Sequence, residues 1–461
     1  MCSTMFQTSL KPPIIETISL LRKSEPKVWI EAYGCSASMA DSEMISGLLK
    51  EAGYEIASKK SESALNLIVT CSVKDTTEHR MVSRIRTLTK SGKPLIVGGC
   101  LPKADRAKVE SVTSSASLLG PNCIDKAPDA VRLALSGGRL VALRGSSLDK
   151  VNIPRVRLNS VVSIVEIASG CMSQCTFCQT KIAKGWLRSY RIGDIVRQIK
   201  SDIKSGCKEV WLSSTDNGCY GRDIDTNLVE LLNACCSLEG SFKIRVGMMN
   251  PMYLPAILDR MVSLFYESDK LFKFLHIPVQ SGSDRVLKKM KRGHTSKIFM
   301  DAVEAFRGKI PEMTISTDII VGFPSETEDD FKETIDLVER SQPDIVNISR
   351  YAARPGTEAY EWKGMRVNSQ LSKERSEYLH ALTRRISKKR SSLWQGWQGE
   401  IVIDEIGKVR QGRNYAYKPV VISSSSTTNA PADDRQILLG DKVRVKIYDF
   451  SNFSLKAKII L

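Results

Sequence analysis

Cys171-Met172-Ser173-Gln174-Cys175-Thr176-Phe177-Cys178 stands directly after a strand-like run at 160–169, and this C-x3-C-x2-C loop constrains the fold more than any other feature of the chain. A tetrahedral zinc site needs a fourth ligand, and no Cys or His follows within the next 25 residues. Three thiolates suit a [4Fe–4S] cluster instead, with one iron left open to bind a cofactor. Five more strand-like runs follow, at 208–214, 243–249, 272–279, 314–321 and 344–351, separated by helical ones. Six βα units make a partial (βα)6 barrel, whose site lies at the carboxyl ends of the strands. Polar or Gly-rich residues fall there in every unit: the cysteine loop, Thr215-Asp216-Asn217-Gly218, Asn250, Gln280-Ser281-Gly282-Ser283, Gly322-Phe323-Pro324 and Arg354-Pro355-Gly356-Thr357. His276 lies inside an alternating apolar strand and reads as a hydrogen-bonded wall residue.

Upstream, strand-like runs at 27–33, 64–70 and 94–98 alternate with helical stretches at 39–53 and 75–90, a βαβαβ pattern that predicts a parallel α/β sheet. Cys35, Cys71 and Cys100 each fall within two residues after one of these strands. Right-handed parallel connections carry all three to one carboxyl edge, where they match three ligands of a second cluster. Cys123, after a possible fourth strand at 117–120, is a rival ligand.

The 461 residues suggest about three domains. The boundaries read as an N-terminal extension (1–26), the α/β sheet domain (27–151), the partial barrel (152–390) and a small all-β barrel of the OB class (391–461). The last rests on short strands at 399–406, 412–417, 418–422, 442–448 and 454–460, broken by a Ser/Thr-rich loop at 423–431. Tyr415 and Tyr417 among basic residues suit base stacking, whereas Trp394 and Trp397 read as packing residues. The 68 Lys and Arg against 51 Asp and Glu leave a net charge of +17. That charge is spread along the chain and is densest in 368–390, where Arg384, Arg385, Lys388, Lys389 and Arg390 occur with no acid between them. A polyanion such as RNA is the partner this implies. No apolar run is long enough to span a bilayer, and Met1–Pro26 lacks the apolar core of a signal peptide. The expected place is the cytoplasm, with the 12 Cys serving as thiolates rather than as a disulfide framework.

The cysteine loop, with Phe177 before its last cysteine, is the signature of radical S-adenosylmethionine enzymes. With Cys35, Cys71 and Cys100 upstream, the chain from about Lys27 onward resembles the methylthiotransferases. The stretch Cys175-Thr176-Phe177-Cys178-Gln179-Thr180-Lys181, followed by Gly185 and Ser189-Tyr190, is similar to the archaeal and eukaryotic branch acting on threonylcarbamoyladenosine in tRNA. So are Arg222-Asp223-Ile224, His276-Ile277-Pro278-Val279-Gln280-Ser281 and 318–327. Gly412-Arg413-Asn414-Tyr415, Lys418-Pro419-Val420 and Leu439-Gly440-Asp441 resemble the TRAM domain, which grips RNA in this family. Ser38 stands where the family usually has Asn, and Gln179 where it often has Lys or Arg. No apolar anchor follows the last strand, a pattern closer to the archaeal members.

The resemblance implies two [4Fe–4S] clusters, one on Cys171, Cys175 and Cys178 and one on Cys35, Cys71 and Cys100. The first would bind and cleave S-adenosylmethionine to a 5′-deoxyadenosyl radical that takes hydrogen from C2 of the adenine at tRNA position 37, next to the anticodon. The second would hold the sulfur that is methylated and transferred. Phe177, Asp216, Asn250, Gln280, Gly322 and Phe323 are expected to line the S-adenosylmethionine site. Arg384, Arg385, Lys388, Lys389, Arg390, Arg413, Tyr415 and Lys418 are expected to contact tRNA. A flavodoxin- or ferredoxin-like electron donor, a monomeric state and no membrane partner complete the expectation. Isopentenyladenosine in tRNA and a ribosomal protein side chain are alternative substrates, the second disfavoured by the charge of +17. A non-enzymatic Fe–S redox sensor that binds RNA is a further alternative, and it would form no 5′-deoxyadenosine.

Overall fold

The computed structural model describes residues 25–72, 75–145, 149–422 and 437–460. Most of the expected extension 1–26 and the expected loop 423–431 lie outside these residues. Strands β1 (Lys27–Ala32), β2 (Glu55–Ile56), β3 (Leu65–Thr70), β4 (Leu95–Gly99), β5 (Ser117–Leu119) and β6 (Val141–Ala142) form one all-parallel sheet in the order β2-β1-β3-β4-β5-β6. Every residue of β3 and β4 is buried, as strands must be when helices cover both faces of their sheet. Strands β1, β3 and β4 are neighbours, so the three cysteines that follow them emerge side by side.

The second sheet system begins with β7 (Val162–Glu166), followed by a short antiparallel pair, β8 (Ala168–Ser169) and β9 (Arg188–Ser189). Strands β10 (Glu209–Ser213), β11 (Lys243–Val246), β12 (Phe274–His276), β13 (Thr314–Val321) and β14 (Ile345–Arg350) complete it. Strands β7, β10 and β11 pair in parallel, β12, β13 and β14 likewise, and a parallel bridge from Ile244 to Leu271 joins the two halves. The six strands thus run in chain order as a partial barrel. The helix Ser369–Ser392 spans its side. One end meets Gly322 at the carboxyl ends of the strands, where a Cβ on that glycine would sit 2.1 Å from Ser372 Oγ; the other end meets Asp344, just before β14.

Strands β15 (Gln398–Ile406), β16 (Arg410–Arg413), β17 (Pro419–Ile422), β18 (Lys442–Phe450) and β19 (Leu455–Ile459) form a closed barrel in the order β15-β16-β17-β19-β18. The first seven residues of β18 alternate exposed and buried, the period of a strand with one face on a core. The strand expected at 412–417 stops at Arg413, because Asn414 closes a turn there: its Oδ1 accepts from the N–H of Ala416 at 3.1 Å and of Lys418 at 2.9 Å. Tyr417 sits in the left-handed region at φ 61°.

This turn plugs the amino-terminal mouth of the six-stranded barrel, opposite the cysteine loop. Tyr417 packs against Phe272 and Phe274, with ring centroids 4.9 and 5.0 Å apart, and Arg413 lies over it at 4.6 Å. The Tyr415 carbonyl accepts from Lys273 N–H at 2.8 Å, and its ring joins Trp394 and Trp397. Lys418, Arg390 and Arg307 all pair with Asp344, at 2.7, 3.2 and 2.9 Å. Burial opposes the Asp344 charge, yet these three cations hold its carboxyl below the usual range. Of the residues expected on RNA, Arg390, Arg413, Tyr415 and Lys418 lie at the joint between the small barrel and the large one. A short basic segment looks the same in sequence whether its cations meet phosphate or a buried carboxylate.

Glu209, the first residue of β10, lies fully buried beside this plug. Burial, with the Asp404 carboxylate nearby, pushes its carboxyl from 4.5 up to about 7. Between those values the folded state keeps a proton that the unfolded state has lost, so this group lowers stability as pH rises from 4.5 to 7. Glu209→Gln should accordingly gain about 3 kcal/mol over the parent at pH 8. Urea unfolding at pH 5 and pH 8 checks this, because the gain shrinks towards the lower pH.

No helix among the described residues is long and apolar enough to cross a membrane.

Candidate active site

Cys35 caps the helix Ser36–Glu51, Cys71 follows β3, and Cys100 opens the helix Cys100–Ala104. Each of Cys35, Cys100 and Cys171 is preceded by a glycine at positive φ: Gly34 at 116°, Gly99 at 94° and Gly170 at 72°. A Cβ on these would lie 2.2 Å from Cys71 Cβ, 2.2 Å from the Thr70 carbonyl oxygen and 1.9 Å from the Trp186 carbonyl oxygen. The chain turns sharply into each cysteine, and only glycine fits the turn.

Cys35 is exposed and Cys71 and Cys100 are buried. A hydrogen bond from Cys71 holds the Cys35 thiol well below its ordinary value, with help from the Lys184 charge and Ser38. Ser38 Oγ lies 3.6 Å from Cys35 Sγ, so the residue that departs from the family pattern still reaches the thiol. Burial pushes Cys100 up to about 12. Cys123, also buried, donates its thiol to the Arg144 carbonyl at 3.3 Å.

The loop after β8 is pinned at its middle. Thr176 donates its N–H to the Met290 carbonyl at 3.1 Å and its hydroxyl to the Lys289 carbonyl at 3.0 Å, and its own carbonyl accepts from Ala359 N–H at 2.8 Å. Cys175 and Cys178 on either side are thus held by the backbone. Arg292, buried, donates to Cys175 Sγ at 3.4 Å. Cys171 and Asp216 Oδ2 are 3.9 Å apart, and the buried Cys219 lies close to both. A hydrogen bond from Cys219 brings Cys171 down to about 6, while burial pushes Cys178 up to about 11. Neither Cys219 nor Arg292 is among the residues the sequence singles out. Only the return of the chain after β10 and β12 brings them to the loop.

Of the residues expected around S-adenosylmethionine, Phe177, Gln280 and Gly322 line a cavity of about 610 Å³ at the carboxyl ends of β12 to β14. Phe323 does not: it is fully buried, 6.2 Å edge-on beneath Phe177 and packed on Tyr351 and Trp362. Its role is to hold Phe177 in place. Asp216 and Asn250 are also turned away from that cavity. Asp216 Oδ1 accepts from Gly218 and Asn250 N–H, both at 3.0 Å, and Asn250 Nδ2 reaches Ser173 Oγ at 3.4 Å, so they lock the loops around Cys171. Burial and the neighbouring Cys171 push Asp216 up to about 7. His276 meets Asp318 at 3.2 Å, the wall contact expected of it.

The two cysteine edges face one another. Ser36 Oγ, next to Cys35, meets Ser213 Oγ at the end of β10 at 3.0 Å. The helix that starts at Cys100 packs on the helix Gln179–Lys184 that starts after Cys178. Glu78 on one side pairs with Arg354 on the other.

Residues 165–338 match the Radical SAM superfamily, and residues 27–120 match the family described as Uncharacterized protein family UPF0004. A probable threonylcarbamoyladenosine tRNA methylthiotransferase of Pyrococcus horikoshii is 42% identical over 385 residues, 83% of this chain and 89% of that protein. The corresponding Archaeoglobus fulgidus protein is 37% identical over 92% of this chain and 96% of its own length. The chain belongs to the threonylcarbamoyladenosine tRNA methylthiotransferase family. The human member is 33% identical over 97% of this chain and 76% of its own. Among solved structures, the radical S-adenosylmethionine methyltransferase TsrM of Kitasatospora setae, with cobalamin and a [4Fe–4S] cluster bound, shares the fold at a TM-score of 0.53 and 13% identity, over 73% of this chain and 77% of that one.

Radical SAM membership implies a [4Fe–4S] cluster and S-adenosylmethionine. The residues fit both. The donor set around the loop is three thiols, the soft ligands iron–sulfur clusters take. Gln280 Oε1 and Arg292 Nε are buried without a hydrogen-bond partner among the described residues, polar atoms ready for a polar cofactor.

Proposed function

We propose that this chain replaces the C2 hydrogen of N6-threonylcarbamoyladenosine at position 37 of tRNA with a methylthio group. The observation that carries this reading is the pair of facing sheet edges, each with three thiols, in a chain matched over most of its length by relatives that bear that name. Cys171, Cys175 and Cys178 would hold a [4Fe–4S] cluster that would supply radical chemistry with S-adenosylmethionine, and Cys35, Cys71 and Cys100 would hold a second cluster that would supply the sulfur. The chain binds, orients and excludes water. Phe177, braced by Phe323, offers an aromatic face to the adenine of S-adenosylmethionine, and Gln280 offers its free carbonyl oxygen. Arg292 orients Cys175.

The exposed face of the helix Ser369–Ser392, with Arg384, Arg385, Lys388 and Lys389, supports tRNA as the partner. Replacing those four by Ala is expected to weaken tRNA binding at low salt and to flatten the plot of log K against log salt by roughly one per cation that reaches a phosphate. A slope equal to the parent's would remove the helix from the interface. The reaction itself is tested by mass spectrometry of tRNA nucleosides from cells with and without the gene. Loss of the methylthio group from threonylcarbamoyladenosine is expected; an unchanged nucleoside profile refutes the reading.

A further inference from the structure

The cavity of about 610 Å³ is lined by two unlike sets of residues. One is Phe177, Gln280 and Gly322, assigned above to S-adenosylmethionine. The other is β14 and the residues after it, which bring Arg350, Arg354 and Arg366 to the lining beside the single carboxylate of Asp318. Arg350 and Arg366 both line it, both are exposed, and neither has a carboxylate partner among the described residues. Arg366 makes one contact, to the Tyr360 carbonyl at 3.4 Å. Arg354, which lines the same wall, is by contrast satisfied by Glu78. Asn347 adds polar atoms there; its Nδ2 donates to Asp318 at 2.7 Å and its carbonyl oxygen is left over. Strand β14 ends its sheet, pairing with β13 and with no strand beyond it among the described residues, so the partial barrel is open at this wall and a group can enter sideways.

Two guanidinium groups without carboxylate partners among the described residues, lining the same cavity as the cofactor residues, form a recogniser for a carboxylate. Planar forks of N–H donors match carboxylate oxygens in geometry and charge. An apolar substituent placed there would strip water from both cations and return no hydrogen bond. Sites of that kind reject a ligand lacking the polar group far more strongly than apolar pockets reject a small size difference.

We propose that Arg350 and Arg366 bind the carboxylate of the amino acid carried on N6 of the target adenosine, and that this contact selects threonylcarbamoyladenosine over an adenosine bearing an apolar prenyl group. The inference rests on the reading under "Proposed function" and adds the specificity determinant to it.

The test uses the full-length, cluster-reconstituted protein and three anticodon stem-loop RNAs that differ only at position 37: threonylcarbamoyladenosine, its carboxyl methyl ester, and unmodified adenosine. The parent is expected to bind the acid about 10- to 100-fold more tightly than the ester. Arg350→Met and Arg366→Met should each shrink that ratio towards one while leaving the Kd of the unmodified RNA unchanged, and Arg350→Lys should restore part of it. Three outcomes overturn the inference: a parent that modifies the acid but binds acid and ester alike; variants that keep the parental ratio; and variants that weaken all three RNAs equally, which marks a phosphate contact. Failure of the underlying reading looks different, because the parent then methylthiolates none of the threonylcarbamoyladenosine RNA.

Discussion

Replacing Cys171, Cys175 and Cys178 together by Ala is expected to abolish cleavage of S-adenosylmethionine and to lower bound iron from roughly eight to roughly four per chain. The effect is total because no other group among the described residues can substitute: Cys219 and Asp216 reach only the Cys171 corner of the site. The fold should survive, since the loop is pinned through Thr176 and Phe177 rather than through its thiols. Iron analysis and detection of 5′-deoxyadenosine under anaerobic dithionite reduction check both parts. The complementary variant, Cys35, Cys71 and Cys100 to Ala, should also lose about half its iron yet still form 5′-deoxyadenosine, with no methylthio product. Four irons in the unsubstituted protein would falsify the two-cluster arrangement.

Lys184→Met should cost about 3–5 kcal/mol of unfolding free energy, the range found when one partner of a buried ion pair is removed. Lys184 belongs to a chain of four buried charges: it donates to Glu166 at 2.9 Å, Glu166 pairs with Lys150 at 3.1 Å, and Lys150 with Asp41 at 2.5 Å. All four are almost completely excluded from water. Burial alone would neutralise Lys184, but Glu166 and Asp41 raise it well above the ordinary lysine range, and Glu166 is held low in turn by the two lysines. Two positive and two negative charges balance; taking one away leaves an uncompensated carboxylate at the junction of the two sheets. The double variant Glu166→Gln with Lys184→Met restores the balance and should recover most of the loss. Urea unfolding of both proteins measures it, and a Lys184→Met variant within 1 kcal/mol of the parent would show that water reaches the quartet. The position matters for function because Asp41 lies on the helix capped by Cys35, and Lys184 on the helix that follows Cys178.

The strands were legible where both of their signals agreed. Leu65–Thr70 and Thr314–Val321 are mostly β-branched and apolar and sit where the sequence pattern puts them. At 412–417 the pattern was equally strand-like and failed, because one local contact outweighed it: the Asn414 side chain bonds two N–H groups and bends the chain into the plug. The charged residues divided the same way. Arg384, Arg385, Lys388 and Lys389 are exposed as a basic run should be, while Arg390, the next residue, turns inward to Asp344. Helical period places Arg390 at the boundary of the two faces, and the carboxylate it meets is 46 residues away in the chain.

The sequence by itself determined that Cys35, Cys71, Cys100 and the cysteine loop emerge at carboxyl edges, because a residue placed just after a parallel strand has to emerge there. Which way the two edges point was decided only by the tertiary structure. That depends on Ser36 against Ser213, Glu78 against Arg354 and, in the buried quartet, Lys150 against Asp41, contacts between residues more than a hundred positions apart whose types carry no mark of their partners. The same holds at the mouth of the cavity. Arg350, Arg354 and Arg366 are alike in sequence, and only the approach of Glu78 to one of them leaves the other two facing the cavity with their charge unspent.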